Sequence, residues 1–274
     1  MGFVWKIYRK IKGINKEQKQ VKEYNSYTEA LKDCPTQKAY ENTELCCMIS
    51  EKTINYIKYL ESKPYTVKAS NIFLVNTIQT YLLEYQTEKI TVLDFGGACG
   101  AHYFETRKFF GNSFKFKWFV IETPEIVNAA KERKLENEEL FFVENIEKID
   151  SIIDLVHSSG TLQYVPDWIE YLDRLIEKQA KFVLFNRMMF NEHDRTFFTI
   201  QKSRLSDNGP GPMPKKYEDK DIFYPHATIS YKKFHKRIFE KKYTLEWYFE
   251  ENSGSYQINN EKIIGRGLLY KKRE

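Results

Sequence analysis

Residues 91–100 read TVLDFGGACG, an apolar run that ends in Asp94 and meets three glycines, Gly96, Gly97 and Gly100. Glycines at such a junction let the backbone turn tightly and lie close to a ligand. A dinucleotide pyrophosphate would require Gly-x-Gly-x-x-Gly at the start of the following helix. Ala98 and Cys99 stand where that second glycine should be, from either starting glycine. What remains is Asp94-x-Gly96-x-x-x-Gly100, with a carboxylate at the strand end. A carboxylate attracts a cationic ligand and repels a phosphate. Glu122, about twenty residues beyond Gly100, ends the next apolar run, where an acid commonly accepts ribose hydroxyls. His157 ends a later run and is the best-placed general base. The alternative is a hydrogen-bonded structural histidine.

Other candidates are less constrained. His193 and His226 lie in or beside an irregular stretch at 187–229, where substrate contacts are expected, while His235 belongs to a lysine-rich helix and is expected to be solvated. Arg187 follows the fifth strand, and with Arg195, Lys202 and Arg204 it could clamp an anionic acceptor. A solvated basic face is the competing reading for these cations. Tyr103, Tyr164, Tyr224 and Trp168 are either pocket walls or core.

These residues need a scaffold, and the sequence supplies its outline. Apolar runs at 90–95, 116–121, 140–143, 154–157 and 182–185 alternate with amphipathic segments near 101–110, 124–134 and 167–178. That alternation predicts a parallel sheet with crossover helices. Helices are expected at 27–31, 42–60 and 69–85, packing over the sheet or capping its ligand site. The stretch 187–229 includes NGPGPMP, which is neither regular helix nor strand. A helix at 231–241 precedes runs at 243–250 and 263–271, read as an antiparallel hairpin turning at 252–255.

LDFGGACGAHYFETRKFF, FKWFVIETPEIV, LFFVENIE, VHSSGTLQYVPD and YPHATISYKKF together resemble a family of class I S-adenosylmethionine-dependent methyltransferases found among bacterial surface-polysaccharide genes, such as those for capsule and lipopolysaccharide. The likeness spans about residues 24–270. It implies an α/β, Rossmann-like, doubly wound seven-stranded sheet whose last strand pair is antiparallel, with an N-terminal helical cap. It also implies S-adenosylmethionine as cofactor, with S-adenosylhomocysteine as product. Asp94, Gly96, Gly97, Gly100, His102, Tyr103 and Glu122 would then hold the cofactor. Asn145 and Ile146 would hold its adenine, and Ser158 and Ser159 would lie under the methionyl end. His157, Arg187, His193 and His226 are the expected catalytic residues, and no metal is expected. The expected division is 1–86 as basic segment and cap, and 87–274 as the cofactor-binding domain with an acceptor insertion at 187–229. The implied activity is O-methylation of a glycan precursor or of an anionic substituent such as a phosphate or phosphoramidate group. The alternative is a non-catalytic or nucleotide-sugar-binding Rossmann protein, with an epimerase or reductase ranked below it.

Composition bounds these readings. With 274 residues, 42% hydrophobic and 30% charged, the chain can bury a core. Cys34, Cys46, Cys47 and Cys99 form no CxxC pair, which fits a reducing, cytoplasmic setting. No segment resembles a spanning helix or a secretory signal. The net charge of +5 is concentrated in residues 1–22, which hold seven basic side chains and one acidic. The remainder is nearly neutral, so a nucleic-acid partner is not expected. The basic segment has helical apolar spacing. It reads either as a peripheral contact with the anionic inner face of a membrane or as a packed terminal helix.

Overall fold

The computed structural model of the protein describes residues 20–35, 42–62, 64–67 and 69–273. The expectations for the basic segment therefore fall almost wholly outside the described residues. Helices α1 (Tyr27–Lys32), α2 (Thr43–Leu60) and α3 (Ala69–Glu84) lead into strand β1 (Lys89–Phe95). Then come α4 (Ala101–Phe110), β2 (Lys115–Ile121), α5 (Pro124–Glu132), β3 (Leu140–Val143), β4 (Leu155–Ser159), α6 (Trp168–Ile176) and β5 (Phe182–Asn191). A hairpin of β6 (Phe197–Arg204) and β7 (Asp221–Ser230) precedes α7 (Tyr231–Glu240), β8 (Tyr243–Ile258) and β9 (Glu261–Lys272).

Local chemistry explains the helix starts. Asn42 accepts from the Glu44 and Leu45 amides to cap α2, and Asp167 does the same for α6 through Ile169 and Glu170. Pro124 opens α5, where a missing amide proton is harmless.

Strands β3, β2, β1, β4 and β5 run parallel in that order, and β9 pairs antiparallel with β5 and with β8. This is the expected Rossmann-like arrangement with its antiparallel final pair, but the sheet has nine strands rather than the expected seven because the β6–β7 hairpin joins it. Alternation along β1 divides the core. Ile90 and Val92 meet α2–α5, whereas Leu93 and Phe95 meet α6 and α7. The early helices α2 and α3 share the first of these cores with Trp118, Val120 and Leu184. No helix among the described residues is long and apolar enough to cross a membrane.

Two expectations are corrected. The 187–229 stretch is mostly ordered sheet, because β5 continues to Asn191 and the β6–β7 hairpin follows. Beyond the last pairing of β4 with β5, Ser159 with Asn186, β7 pairs parallel with Phe190 and Asn191. The hairpin thus continues the sheet past the carboxyl end of β4. The second correction concerns the final turn, which falls at Asn259 and Asn260 with φ of 46° and 69°. Asparagine tolerates this left-handed backbone, and paired positive φ values suit a two-residue hairpin. The 252–255 stretch instead lies within β8, at a register shift between Glu250 and Ser255.

Candidate active site

Asp94, His157 and Asn186 come from the adjacent strands β1, β4 and β5, near their carboxyl ends. All three are fully buried. His157 Nδ1 lies 2.8 Å from Asp94 Oδ1, and His102 Nδ1, from the first turn of α4, lies 3.0 Å from Oδ2. Asn186 Nδ2 reaches His157 Nε2 at 3.3 Å and the Ser70 carbonyl at 3.1 Å. Burial opposes ionisation of Asp94, but the two imidazoles outweigh it and hold the carboxyl below its usual range. Burial pushes His157 down, against the pull of Asp94. An ionised carboxylate only accepts, so His157 donates through Nδ1 and its Nε2 accepts from Asn186.

This network revises the sequence reading of His157. Both ring nitrogens are engaged and no surface is exposed, so it cannot meet an acceptor directly. It positions Asp94 and the end of β4. The ligand atoms of Asp94, His102 and His157 lie within 4.8 Å of one another, close enough to suggest a metal site. The His157 Nδ1 proton, required by the donor at Nε2, occupies the position a metal would need.

The glycine loop is shaped by this carboxylate. A side chain at Gly97 would collide with Asp94, and one at Gly96 (φ +73°) would collide with Thr161. Gly100 begins α4 at φ +81°, a left-handed backbone that favours glycine. Glu122, ending β2, closes the loop by accepting from the Ala98 amide at 2.9 Å and the Thr123 amide at 3.1 Å. Burial raises its carboxyl to about 7, against the pull of those amides.

Beside the strand ends lies a cavity of about 400 Å³, with Phe95, Ile121, Ile146 and Leu175 as apolar walls and Glu144 and Asn145 at its edge. Tyr171 and Arg174 of α6 line it too, and Arg174 reaches Asn145 Oδ1 at 3.0 Å. Asn145 and Ile146, the residues expected to hold an adenine, both line this cavity. Phe95, Ile121 and Tyr171 were missed, because apolar residues in strands and helices look like ordinary core.

Further along, Ser159 Oγ and its carbonyl accept from the Arg187 guanidinium at 2.9 and 2.8 Å. Arg187 sits at a break in the β5–β9 register with φ +53°, and its side chain folds back across Gly160. The Ser158 hydroxyl is buried without a hydrogen-bond partner among the described residues.

Tyr103 does not reach this region. It is buried beside Trp118, and its hydroxyl donates to Glu139 at 2.9 Å, just before β3 at the opposite end of the sheet. His193 is exposed in the bend between β5 and β6 and lines neither cavity. The cations offered for a clamp, other than Arg187, form partly exposed ion pairs. Arg195 pairs with Glu23 and Glu261, Lys202 with Asp221, and Arg204 with Asp219 and Asp221. His235, read as solvated, is half-buried against Tyr270.

His226, on β7, is 5% exposed and lines a second cavity of about 210 Å³ under the hairpin. Tyr164, in the short helical turn Leu162–Tyr164, sets its ring 5.2 Å from those of both Tyr224 and His226.

A parallel sheet whose strand ends carry a glycine loop, a terminal acid and an adjoining slot is the architecture of a Rossmann-like transferase. The chain belongs to the methyltransferase-domain family, whose model matches residues 73–250. No curated protein matches it. Among solved structures it is similar to an S-adenosylmethionine-dependent methyltransferase from Clostridium acetobutylicum, at 13% identity and TM-score 0.47, covering 82% of this chain and 98% of that one. It is also similar to methyltransferases from Methanosarcina mazei (14%, TM-score 0.46, covering 72% and 96%) and to the N-methyltransferase NodS from Bradyrhizobium japonicum (11%, TM-score 0.43, covering 81% and 100%).

Proposed function

We propose that this methyltransferase uses S-adenosylmethionine and directs the methyl group to an oxygen of a surface-glycan precursor. The observation that carries the cofactor reading is the Glu122 carboxylate clasping the glycine loop, next to an apolar slot with Asn145 at its edge. The slot suits a flat heterocycle, and Glu122 keeps lone pairs for the ribose hydroxyls. Gly96 and Gly97 leave room that any side chain would take. When bound, the cofactor would supply a sulfonium-activated methyl; its transfer to an acceptor hydroxyl forms the O–C bond, leaves the electron pair of the broken C–S bond on sulfur and releases the hydroxyl proton to solvent.

In this reading the chain's own residues orient and exclude water. Asp94, held by His102 and His157, keeps the loop rigid. Ser158, Ser159 and Arg187 border the methionyl end, and the β6–β7 hairpin carries the acceptor. The oxygen and glycan assignments are supported by the sequence resemblance.

The test is calorimetric titration with S-adenosylhomocysteine against the full chain and Glu122→Ala. Micromolar binding that weakens at least tenfold in the variant supports the reading. Equal affinity in both, or no binding, refutes it.

A further inference from the structure

The cavity under the β6–β7 hairpin is separate from the adenine slot and carries unusual chemistry. Register pairs Thr199 with His226 and Gln201 with Tyr224, so one face of the hairpin presents these side chains to Tyr164. Tyr256 of β8 also lines the cavity. Every polar group lining the cavity is uncharged. His226 makes no hydrogen bond among the described residues although it is nineteen-twentieths buried. Its ring nitrogens are not among the fully enclosed unpartnered atoms, so they face the cavity, where water or a ligand can bond them. Gln201 accepts from the Tyr164 hydroxyl at 3.1 Å, leaving its amide protons free among the described residues.

We infer that this cavity is the acceptor subsite and takes an uncharged, hydroxyl-bearing ring the size of one monosaccharide, with His226 and Gln201 hydrogen-bonding its hydroxyls. The inference rests on the methyl-transfer reading and adds the charge and size of the acceptor.

Three arguments converge. The volume of about 210 Å³ equals roughly seven water molecules, room for one such ring in a cavity that opens to solvent. Aromatic walls with polar groups between them match a molecule that has apolar C–H faces and a hydroxyl rim. No charged side chain lines the cavity, so an anion there would lack a direct counter-charge; Arg187, whose charge reaches Tyr164 from outside the lining, is turned onto Ser159. A protonated amine would equally lack a carboxylate. Position agrees, since Gln163 and Tyr164 line the cavity and directly follow the 158–161 segment at the end of β4. His226 is neutral at physiological pH, its ring pushed down to about 4 by burial, which leaves one nitrogen to accept and one to donate.

The experiment is saturation-transfer NMR on the full chain with S-adenosylhomocysteine present. The probes are methyl α-glucoside, methyl β-galactoside and methyl N-acetylglucosaminide, against glucuronate and glucose 6-phosphate. The expected result is signal from at least one neutral glycoside and at least fivefold less from both anions. That signal should fall at least fivefold in His226→Phe and in Thr199→Trp, which narrows the cavity, with S-adenosylhomocysteine affinity unchanged within twofold. Signal from the anions equal to the neutral probes overturns the inference. So does signal that survives both substitutions, or silence from all three glycosides while S-adenosylhomocysteine is bound. Failure of S-adenosylhomocysteine itself to bind is a separate outcome, and it refutes the methyl-transfer reading on which the inference stands.

Discussion

Glu122 offers the sharpest perturbation, because its folded environment raises its carboxyl from 4.5 to about 7. Below pH 4.5 both folded and unfolded chains hold it protonated. Between 4.5 and about 7 the unfolded chain releases the proton while the folded chain retains it. The folded state then binds more protons, so this group's contribution to stability falls as pH rises through that window. At about 1.4 kcal/mol per tenfold change, the loss approaches roughly 3 kcal/mol above pH 7. That figure is a ceiling, since the side chain keeps some contact with water. Ribose hydroxyls donate to the ionised form, so cofactor affinity should rise over the same interval. Glu122→Gln removes the titration while keeping one carbonyl acceptor for the loop. Urea unfolding of both proteins at pH 5 and pH 8 isolates the term, because other carboxylates contribute equally to each. The variant should gain about 1–3 kcal/mol relative to wild type on going from pH 5 to pH 8, and its S-adenosylhomocysteine affinity should lose its pH dependence. Parallel stability profiles would refute the reasoning, because they would mean that Glu122 titrates normally in the folded chain.

Two further outcomes follow from the site. Asp94→Ala leaves the buried His157 and His102 protons without an acceptor and should lower unfolding free energy by about 3–5 kcal/mol in urea; a loss under 1 kcal/mol contradicts the proposed network. Tyr103→Phe should cost about 1 kcal/mol through the lost Glu139 hydrogen bond and leave S-adenosylhomocysteine affinity unchanged within twofold. A tenfold weakening would return Tyr103 to the cofactor site.

Much of the scaffold was legible from local pattern. The alternation of apolar runs with amphipathic segments located all five parallel strands, and β3 was placed at its observed bounds. The glycine spacing marked the loop, and the acid at 122 marked the end of β2. The hairpin in 187–229 was missed because its glycine and proline cluster reads as irregular. That cluster occupies only the connection between two strands whose pairing is a long-range matter. The final turn was misplaced because Asn252-Ser253-Gly254-Ser255 carries a stronger local turn signal than Asn259-Asn260, and pairing of β8 with β9 overrode it.

Side-chain roles divide along the same line. Residue type and spacing were enough to single out Asp94, the glycines, Glu122 and the histidines, because backbone turning and charge are local properties. Direction and company are not. Only packing decided that Tyr103 points to the far end of the sheet, that Arg195, Lys202 and Arg204 are taken up by carboxylates, and that His157 is enclosed between Asp94 and Asn186. The same packing left His226 buried, without a hydrogen bond among the described residues, in the wall of a small cavity lined by uncharged groups. Such outcomes depend on which strand lies beside which, and no window along the chain contains that information.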